Sequence, residues 1–124
     1  MRLLTLLLAS SLLQLPSLAN ADGNELLAQC QNVERYLDSE EVENTFAIGL
    51  CLGLLQGVRN TMVILNTGLD QRLRTCWPKT GINNGQAARI VVRYLREHPE
   101  QLNKDEVLLS MLAFQAAYPC NKSP

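Results

Sequence analysis

The sequence predicts an all-α protein, a small bundle of about four helices joined by two disulfides. Apolar residues recur at the three-to-four spacing of a helix in four successive segments. The chain also has four cysteines behind an N-terminus typical of exported proteins, and an even set of this kind normally pairs in an oxidising compartment. At 124 residues, the chain has room for one modest core.

Residues 1–21 are predicted to be a secretory signal peptide. They have a positive charge at Arg2, a leucine-rich run that ends near Leu13, and an Ala19-Asn20-Ala21 cleavage site. The run is shorter than the ~20 residues needed to cross a bilayer, which argues against a retained membrane anchor. Cleavage would leave residues 22–124 as a single domain.

The first predicted helix runs from about Asn24 to Leu37, and the second from about Val42 to Leu65. Asp22 stands three residues before Glu25, which is the spacing of a capping box. The second helix is the central one by length and apolarity. The residues expected to face the core are Leu26, Cys30, Val33 and Leu37 in the first helix, and Phe46, Leu50, Leu54, Val58 and Leu65 in the second.

Gly49, Gly53 and Gly57 recur at a spacing of four and form a ridge without side chains on the second helix. Each glycine costs a helix about 1 kcal/mol, so the ridge needs a reason. Polar residues such as Arg59 interrupt any membrane span. We therefore expect close packing against another helix of a soluble bundle.

The third predicted helix begins at Asn83, which stands three residues before Gln86, and must stop at or before His98 because Pro99 follows. Its inward residues are expected to be Ala87, Ile90, Val91, Tyr94 and Leu95, and its outward basic stripe Arg89, Arg93 and Arg96.

The fourth predicted helix begins after Asn103, which stands three residues before Glu106, and runs up to Pro119. Its apolar face is expected to contain Val107, Leu108, Met111, Leu112 and Ala116.

The four cysteines allow three disulfide connectivities. Pairs Cys30–Cys51 and Cys76–Cys120 would join neighbouring helices, so they are the expected ones. A zinc site is disfavoured because the cysteines are about twenty or more residues apart, unlike the close pairs of structural zinc sites, and the chain has one histidine.

The net charge of −1 indicates neither nucleic acid nor an anionic membrane as a partner. Residues 22–43 are mainly acidic and residues 59–96 mainly basic. We interpret this asymmetry as charge pairing between helices of the same or a second subunit.

The sequence offers little for catalysis. His98 is the only histidine, and its place at a helix end suggests an exposed capping residue rather than a general base. Disulfide formation would remove the cysteines as nucleophiles. Binding is the remaining class of function, with no metal or cofactor expected.

Several motifs, taken in order, resemble the Rap/Tai family of immunity proteins. They are Cys51-Leu52-Gly53 with Gly57-Val58, Cys76-Trp77-Pro78, Gln86, the run VVRYLREHPE from Val91 to Glu100, and Ala117-Tyr118-Pro119-Cys120. Their order and both cysteine spacings account for the resemblance, which covers nearly the whole mature chain. One departure is Asn83-Asn84-Gly85, where the family usually has a threonine cap.

The resemblance implies a periplasmic helical protein, often a homodimer, that binds a peptidoglycan amidase effector of type VI secretion. Such a protein occludes the Cys–His active site of the amidase, protects the producing or kin cell, and performs no reaction itself. The candidate contact residues lie in the irregular segment before the third helix: Arg72, Arg74, Trp77 and Lys79. Arginine and tryptophan are enriched at interface hot spots. Alternatively, Trp77 folds back over a Cys76–Cys120 bridge and covers a small core.

Two other functions remain open. A periplasmic stress chaperone would also be small, helical, exported and disulfide-linked, and it would lose structure and gain client binding near pH 3 as carboxylates protonate. A binding protein of an envelope complex is the other alternative.

Overall fold

The computed structural model describes residues 21–120, so the predicted signal peptide lies outside the described residues apart from Ala21. Within this range the chain forms four α-helices and no strand, which confirms the all-α prediction. The helices are α1 (Gly23–Ser39), α2 (Thr45–Leu65), α3 (Asn84–Glu97) and α4 (Glu106–Ala117). Short 3₁₀ turns lie at Asn66–Gly68, Gln71–Leu73 and Pro99–Gln101.

The core lies where the four helices meet. Helix α1 packs mainly against α2 and α3, and α3 also packs against α4. The largest fully buried side chains are Leu26, Leu55, Val91, Val92, Leu95, Leu109 and Phe114.

The predicted starts of α1 and α3 are confirmed in position. The Asp22 carboxylate accepts hydrogen bonds from the amides of Asn24 (2.9 Å) and Glu25 (3.2 Å). The Glu25 side chain accepts a hydrogen bond from Gln29 instead of returning to the cap. A reciprocal capping box does form at α3. The side-chain oxygen of Asn83 accepts from the backbone amide of Gln86, and the side-chain oxygen of Gln86 accepts from the backbone amide of Asn83.

Helix α2 differs from its prediction in start and in orientation. It begins at Thr45 rather than Val42, because the Asn44 side chain caps it by accepting from the amide of Ala47 (2.9 Å). Of the predicted apolar stripe only Val58 is buried, and Phe46 is 74% exposed. The residues that face the core are Ala47, Cys51, Leu55, Val58 and Met62. Helix α2 is apolar on nearly all sides, so periodicity could not select the inward face.

The prediction for the inward face of α4 is also wrong. Asp105, not Asn103, caps it by accepting from the amide of Leu108 (3.0 Å). Val107 and Leu108 are exposed, whereas the buried residues are Leu109, Ser110, Ala113 and Phe114. Ser110 is compatible with burial because its hydroxyl donates to the carbonyl of Glu106 (2.8 Å).

The prediction that the glycine ridge packs closely against another helix of the same bundle is wrong. A Cβ added at Gly49, Gly53 or Gly57 would meet nothing within 4 Å, so no helix of the bundle packs there. By length and composition the stretch Thr45–Gly68 is apolar enough to cross a membrane. Only 22% of its most apolar window is buried in the bundle, so most of this apolar stretch is exposed. The ridge therefore belongs to an exposed apolar surface.

Both expected disulfides are present. Cys30 and Cys51 join α1 to α2 with their Cα atoms 5.2 Å apart, and both residues are fully buried. Cys76 and Cys120 join the segment before α3 to the end of α4, with a Cα–Cα distance of 4.8 Å.

Candidate functional site

The candidate partner-binding residues lie between α2 and α3, on residues 66–83, and this connecting segment is held at both ends. At its start Asn66 makes two hydrogen bonds to Thr75: its Nδ2 donates to the carbonyl (3.1 Å) and its Oδ1 accepts from the amide (2.9 Å). At its end Arg59 of α2 donates to the carbonyl of Ile82 (2.9 Å). The segment is thus closed into a loop on the surface of α2.

The end of α4 holds the middle of the connecting segment. Cys76 is bonded to Cys120, and its amide donates to the carbonyl of Tyr118 (2.8 Å). Farther back, Gln115 Nε2 donates to the carbonyl of Leu73 (2.8 Å). One covalent bond and two hydrogen bonds therefore fix the segment to the bundle.

Trp77 folds back onto α4. Its ring centroid lies 5.3 Å from that of the buried Phe114 and 5.7 Å from that of Tyr118, and the side chain is half-buried. Its Nε1 is buried and has no hydrogen-bond partner among residues 21–120. The structure thus shows the packed arrangement of Trp77, and a role in partner binding stays a prediction.

The three cationic candidates have different surroundings. Arg72 has 84% of its side chain exposed and lies 3.3 Å from the Asp70 carboxylate, whose pKa is held below its usual value by hydrogen bonds from the amide and side chain of Arg72. Arg74 donates to two carbonyls of the connecting segment, at 2.8 and 3.3 Å. Lys79 is exposed, and no ion pair or hydrogen bond involves it within residues 21–120. Arg72 and Lys79 are therefore the charges available to a partner.

The predicted charge pairing between helices is confirmed for two arginines of the basic stripe. Arg89 Nη2 lies 2.6 Å from the Asp38 carboxylate, and Arg96 Nη2 lies 3.0 Å from that of Glu34. The hydrogen bond that Arg89 donates to the Asp38 carboxylate raises the pKa of Arg89 above its ordinary value. The third arginine, Arg93, is exposed and has no ion-pair partner in the described part of the chain.

An apolar groove lies beside the connecting segment and was not predicted from the sequence. Its volume is about 420 Å³, and its lining comes from α2, the connecting segment and α4: Gly53, Leu54, Gly57, Val58, Thr61, Met62, Leu65, Asn66, Leu69, Thr75, Val107, Met111 and Gln115. None of these residues is charged. Thr75 is 1% exposed, and its Oγ1 has no hydrogen-bond partner within residues 21–120. The sequence signal for the groove was the glycine ridge, because two of its glycines form part of the wall.

The described residues offer no assembled catalytic group. His98 Nδ1 lies 3.3 Å from the Glu100 carboxylate, and its ring lies at a tilt against that of Tyr94, with the ring centroids 4.3 Å apart. Between residues 21 and 120 no cluster of three His, Cys, Asp or Glu residues is placed to hold a metal ion. All four cysteines are in disulfides.

These features define a helical domain that is held together by two disulfides. A family model for Rap1a immunity proteins matches residues 22–120, and the chain belongs to this family. The match confirms the resemblance to immunity proteins, which bind toxin effectors. No curated protein and no solved structure matches the chain at a significant level.

Proposed function

We propose that the protein is a periplasmic immunity protein that binds a peptidoglycan amidase effector of type VI secretion and occludes its Cys–His active site. It thereby protects the producing or kin cell, acts as a homodimer and catalyses no reaction. Membership of the immunity family is the observation that supports this function most directly.

Export is supported by two observations. The family match begins at residue 22, directly after the expected cleavage site, so residues 1–21 would be removed and residues 22–124 would form the immunity domain. Two disulfides are characteristic of proteins that fold in an oxidising compartment such as the periplasm.

The connecting segment is the proposed contact surface for the amidase. Arg72 and Lys79 extend from it and suit an acidic surface on the partner. Arg74 and Trp77 support the same surface from within, since Arg74 bonds the segment's own carbonyls and Trp77 packs on α4. A segment that is fixed before binding loses less conformational entropy on binding.

The decisive experiment sequences the reading frames beside this gene, purifies a small amidase encoded there and measures peptidoglycan hydrolysis as the protein is added. Equimolar protein is expected to abolish hydrolysis. The double substitution Arg72→Glu with Lys79→Glu should weaken inhibition at least tenfold without lowering the melting temperature, because both side chains are exposed. Arg93→Glu is the matched control, an exposed arginine on α3 that should leave inhibition unchanged.

Three results would overturn this proposal in whole or in part. Failure of the protein to bind the amidase at micromolar concentration would contradict the immunity function. Full inhibition by the doubly substituted protein would instead show that another surface makes the contact. A protein that loses structure and captures unfolded clients at about pH 3 would be a chaperone.

A further inference from the structure

The two disulfides differ in their exposure to solvent. Cys30 and Cys51 are fully buried where α1 meets α2. Cys76 is exposed on the connecting segment, and Cys120, its partner at the end of α4, is half-buried. Thiol–disulfide exchange requires a thiolate to reach one of the two bonded sulfur atoms, so access decides which bridge reacts. In the folded protein an external thiol therefore reaches the Cys76–Cys120 bridge and not the Cys30–Cys51 bridge.

The charge around Cys76 also favours attack by a thiolate. Residues 71–82 contain three cations, Arg72, Arg74 and Lys79, and no acidic residue. Positive charge attracts an anionic nucleophile and stabilises the thiolate that leaves. The segments around the other bridge, residues 26–33 and 44–58, carry no charged residue. Access and charge thus single out the same bridge.

We propose that the Cys76–Cys120 bridge is a thiol–disulfide exchange site, which a dithiol reductant opens while the Cys30–Cys51 bridge stays closed. Opening the bridge loosens the connecting segment and weakens binding of the amidase. This second part rests on the proposed function, whereas the exchange itself does not.

The exchange takes two steps. A thiolate of the dithiol attacks Sγ of the exposed Cys76, the bond between the two cysteine sulfurs breaks, and Cys120 leaves as a thiolate that takes up a proton. The second thiol of the reductant then attacks the reductant sulfur bonded to Cys76, which releases Cys76 as a thiol. The dithiol is oxidised to a disulfide, and its two electrons and two protons end on the two cysteines.

The bridge is the covalent tie between the connecting segment and α4. The contacts that remain after reduction are weak ones: the amide of Cys76 donates to the carbonyl of Tyr118 (2.8 Å), Gln115 donates to the carbonyl of Leu73 (2.8 Å), and Trp77 packs on α4. Surface contacts of this kind open locally without global unfolding. Without the bridge the segment samples more conformations, and a partner must order it on binding.

The bridge lies inside the proposed contact surface. Arg72 stands four residues before Cys76, and Lys79 stands three residues after it. The bundle itself has other support, because its helices meet in a common core and Cys30–Cys51 still joins α1 to α2. Reduction is therefore expected to act on the contact surface and to leave the helical bundle folded.

Selective reduction tests the exchange site. The oxidised, purified exported protein is incubated with dithiothreitol, free thiols are alkylated at intervals, and mass spectrometry of the peptides identifies the modified cysteines. Cys76 and Cys120 should become alkylated at least about tenfold faster than Cys30 and Cys51. The matched control is the same reaction in urea that unfolds the protein. Burial then protects neither bridge, and the two rates should converge.

Trp77 reports the local effect, because it is the only tryptophan of the chain and follows Cys76 directly. Reduction should increase the quenching of its fluorescence by acrylamide as the ring becomes more accessible. The far-ultraviolet circular dichroism of the four helices should stay unchanged. The double substitution Cys76→Ser with Cys120→Ser should show the quenching of the reduced protein with or without dithiothreitol.

Binding of the amidase tests the consequence for function. The oxidised protein should bind the amidase about tenfold more tightly than the protein reduced at this bridge. The double serine variant should bind as weakly as the reduced protein in both conditions. Equal affinities of the oxidised and reduced proteins would show that noncovalent contacts alone hold the segment, and would overturn the regulatory part of the proposal.

Two results would overturn the exchange site itself: equal rates of reduction of the two bridges in the folded protein, or faster reduction of Cys30–Cys51. Loss of the helices on reduction of Cys76–Cys120 would show that this bridge holds the whole bundle, and would refute a local effect. The reduction rates are measured without the amidase. A protein that is reduced selectively but binds no amidase in either state would therefore refute the proposed function and leave the exchange site standing.

Discussion

Trp77 and Phe114 lie against each other with ring centroids 5.3 Å apart and planes inclined by 57°. Phe114 is fully buried in the bundle, whereas Trp77 belongs to the connecting segment at the surface. The contact therefore couples the shape of the proposed binding surface to the packing of α4. A change at Trp77 must affect both.

Trp77→Ala is expected to destabilise the protein by about 2–3 kcal/mol, somewhat below the cost of truncating a fully buried tryptophan, because the ring is half-buried. Urea unfolding of the oxidised protein measures this loss. Trp77→Phe keeps an aromatic contact with Phe114 and should recover more than half of it. If Trp77→Ala unfolds at the same urea concentration as the unmodified protein, the packed arrangement does not contribute to stability.

The two disulfides should contribute differently to stability. The 44-residue separation of Cys76 and Cys120 predicts a loss of about 4 kcal/mol from unfolded-state entropy when the bridge is removed, and the 21-residue separation of Cys30 and Cys51 about 3 kcal/mol. Cys30 and Cys51 are also fully buried, so their removal adds a packing loss.

We therefore expect the double variant Cys30→Ala with Cys51→Ala to be less stable than the double variant Cys76→Ser with Cys120→Ser. Thermal unfolding of the two variants measures the difference. The reverse order would indicate that loop closure alone determines the effect. Both variants should be compared at low protein concentration, where self-association does not add stability.

Two glycines on neighbouring helices should respond oppositely to alanine. A Cβ at Gly23 would collide with the Leu109 side chain and lie 2.9 Å from the carbonyl oxygen of Leu102, so Gly23→Ala should cost about 1–3 kcal/mol. A Cβ at Gly49 meets nothing, so Gly49→Ala should gain about 0.5–1 kcal/mol from helix propensity. Chemical denaturation of dilute protein measures both, and a loss at Gly49 would mean that the monomer already covers this position.

The accuracy of sequence-based prediction depended on how amphipathic each helix is. In α1 the predicted face was confirmed at Leu26, Cys30 and Val33, because charged residues occupy the opposite side and leave one solution. In α3 the arginines likewise leave only one face of the helix that can point toward the core. Both disulfides were predicted because each pairs two cysteines that are consecutive in the sequence.

The inward faces of α2 and α4 could not be predicted because these helices are apolar on most sides. Several rotations of such a helix bury similar apolar area, and long-range contacts choose among them. For α2 the choice is fixed by the bond from Cys51 to α1, and for α4 by the packing of Phe114 under Trp77. The apolar groove was missed for the same reason, since it exists only once both rotations are known.

The two ion pairs between α1 and α3 should differ in their contribution to stability. The Glu34 carboxylate that pairs with Arg96 has 16% of its side chain exposed, whereas Asp38, the partner of Arg89, has 62%. Arg96→Met would leave a half-buried carboxylate without its ion pair and should cost about 1–2 kcal/mol. Arg89→Met should cost less than Arg96→Met, because an exposed pair is well screened by water. Equal losses in urea unfolding, or a larger loss at Arg89, would contradict this ranking.

The cap of α1 should make stability depend on pH. Hydrogen bonds from the amide of Glu25 and from Asn24 hold the pKa of Asp22 below its ordinary value of 3.8. The ionised cap therefore stabilises the folded protein above pH 3.8, and this contribution is lost as the pH falls through the lowered pKa of the folded state.

Asp22→Asn separates this effect from the cap itself, because asparagine caps a helix about as well as aspartate and does not titrate. The melting temperature of the unmodified protein relative to that of Asp22→Asn should decrease steadily between about pH 5 and pH 2. Asp22→Ala, which removes the cap, should be less stable than Asp22→Asn at every pH. A constant difference between the unmodified protein and Asp22→Asn across this range would show that the carboxylate is bonded no more strongly in the folded chain than in the unfolded one.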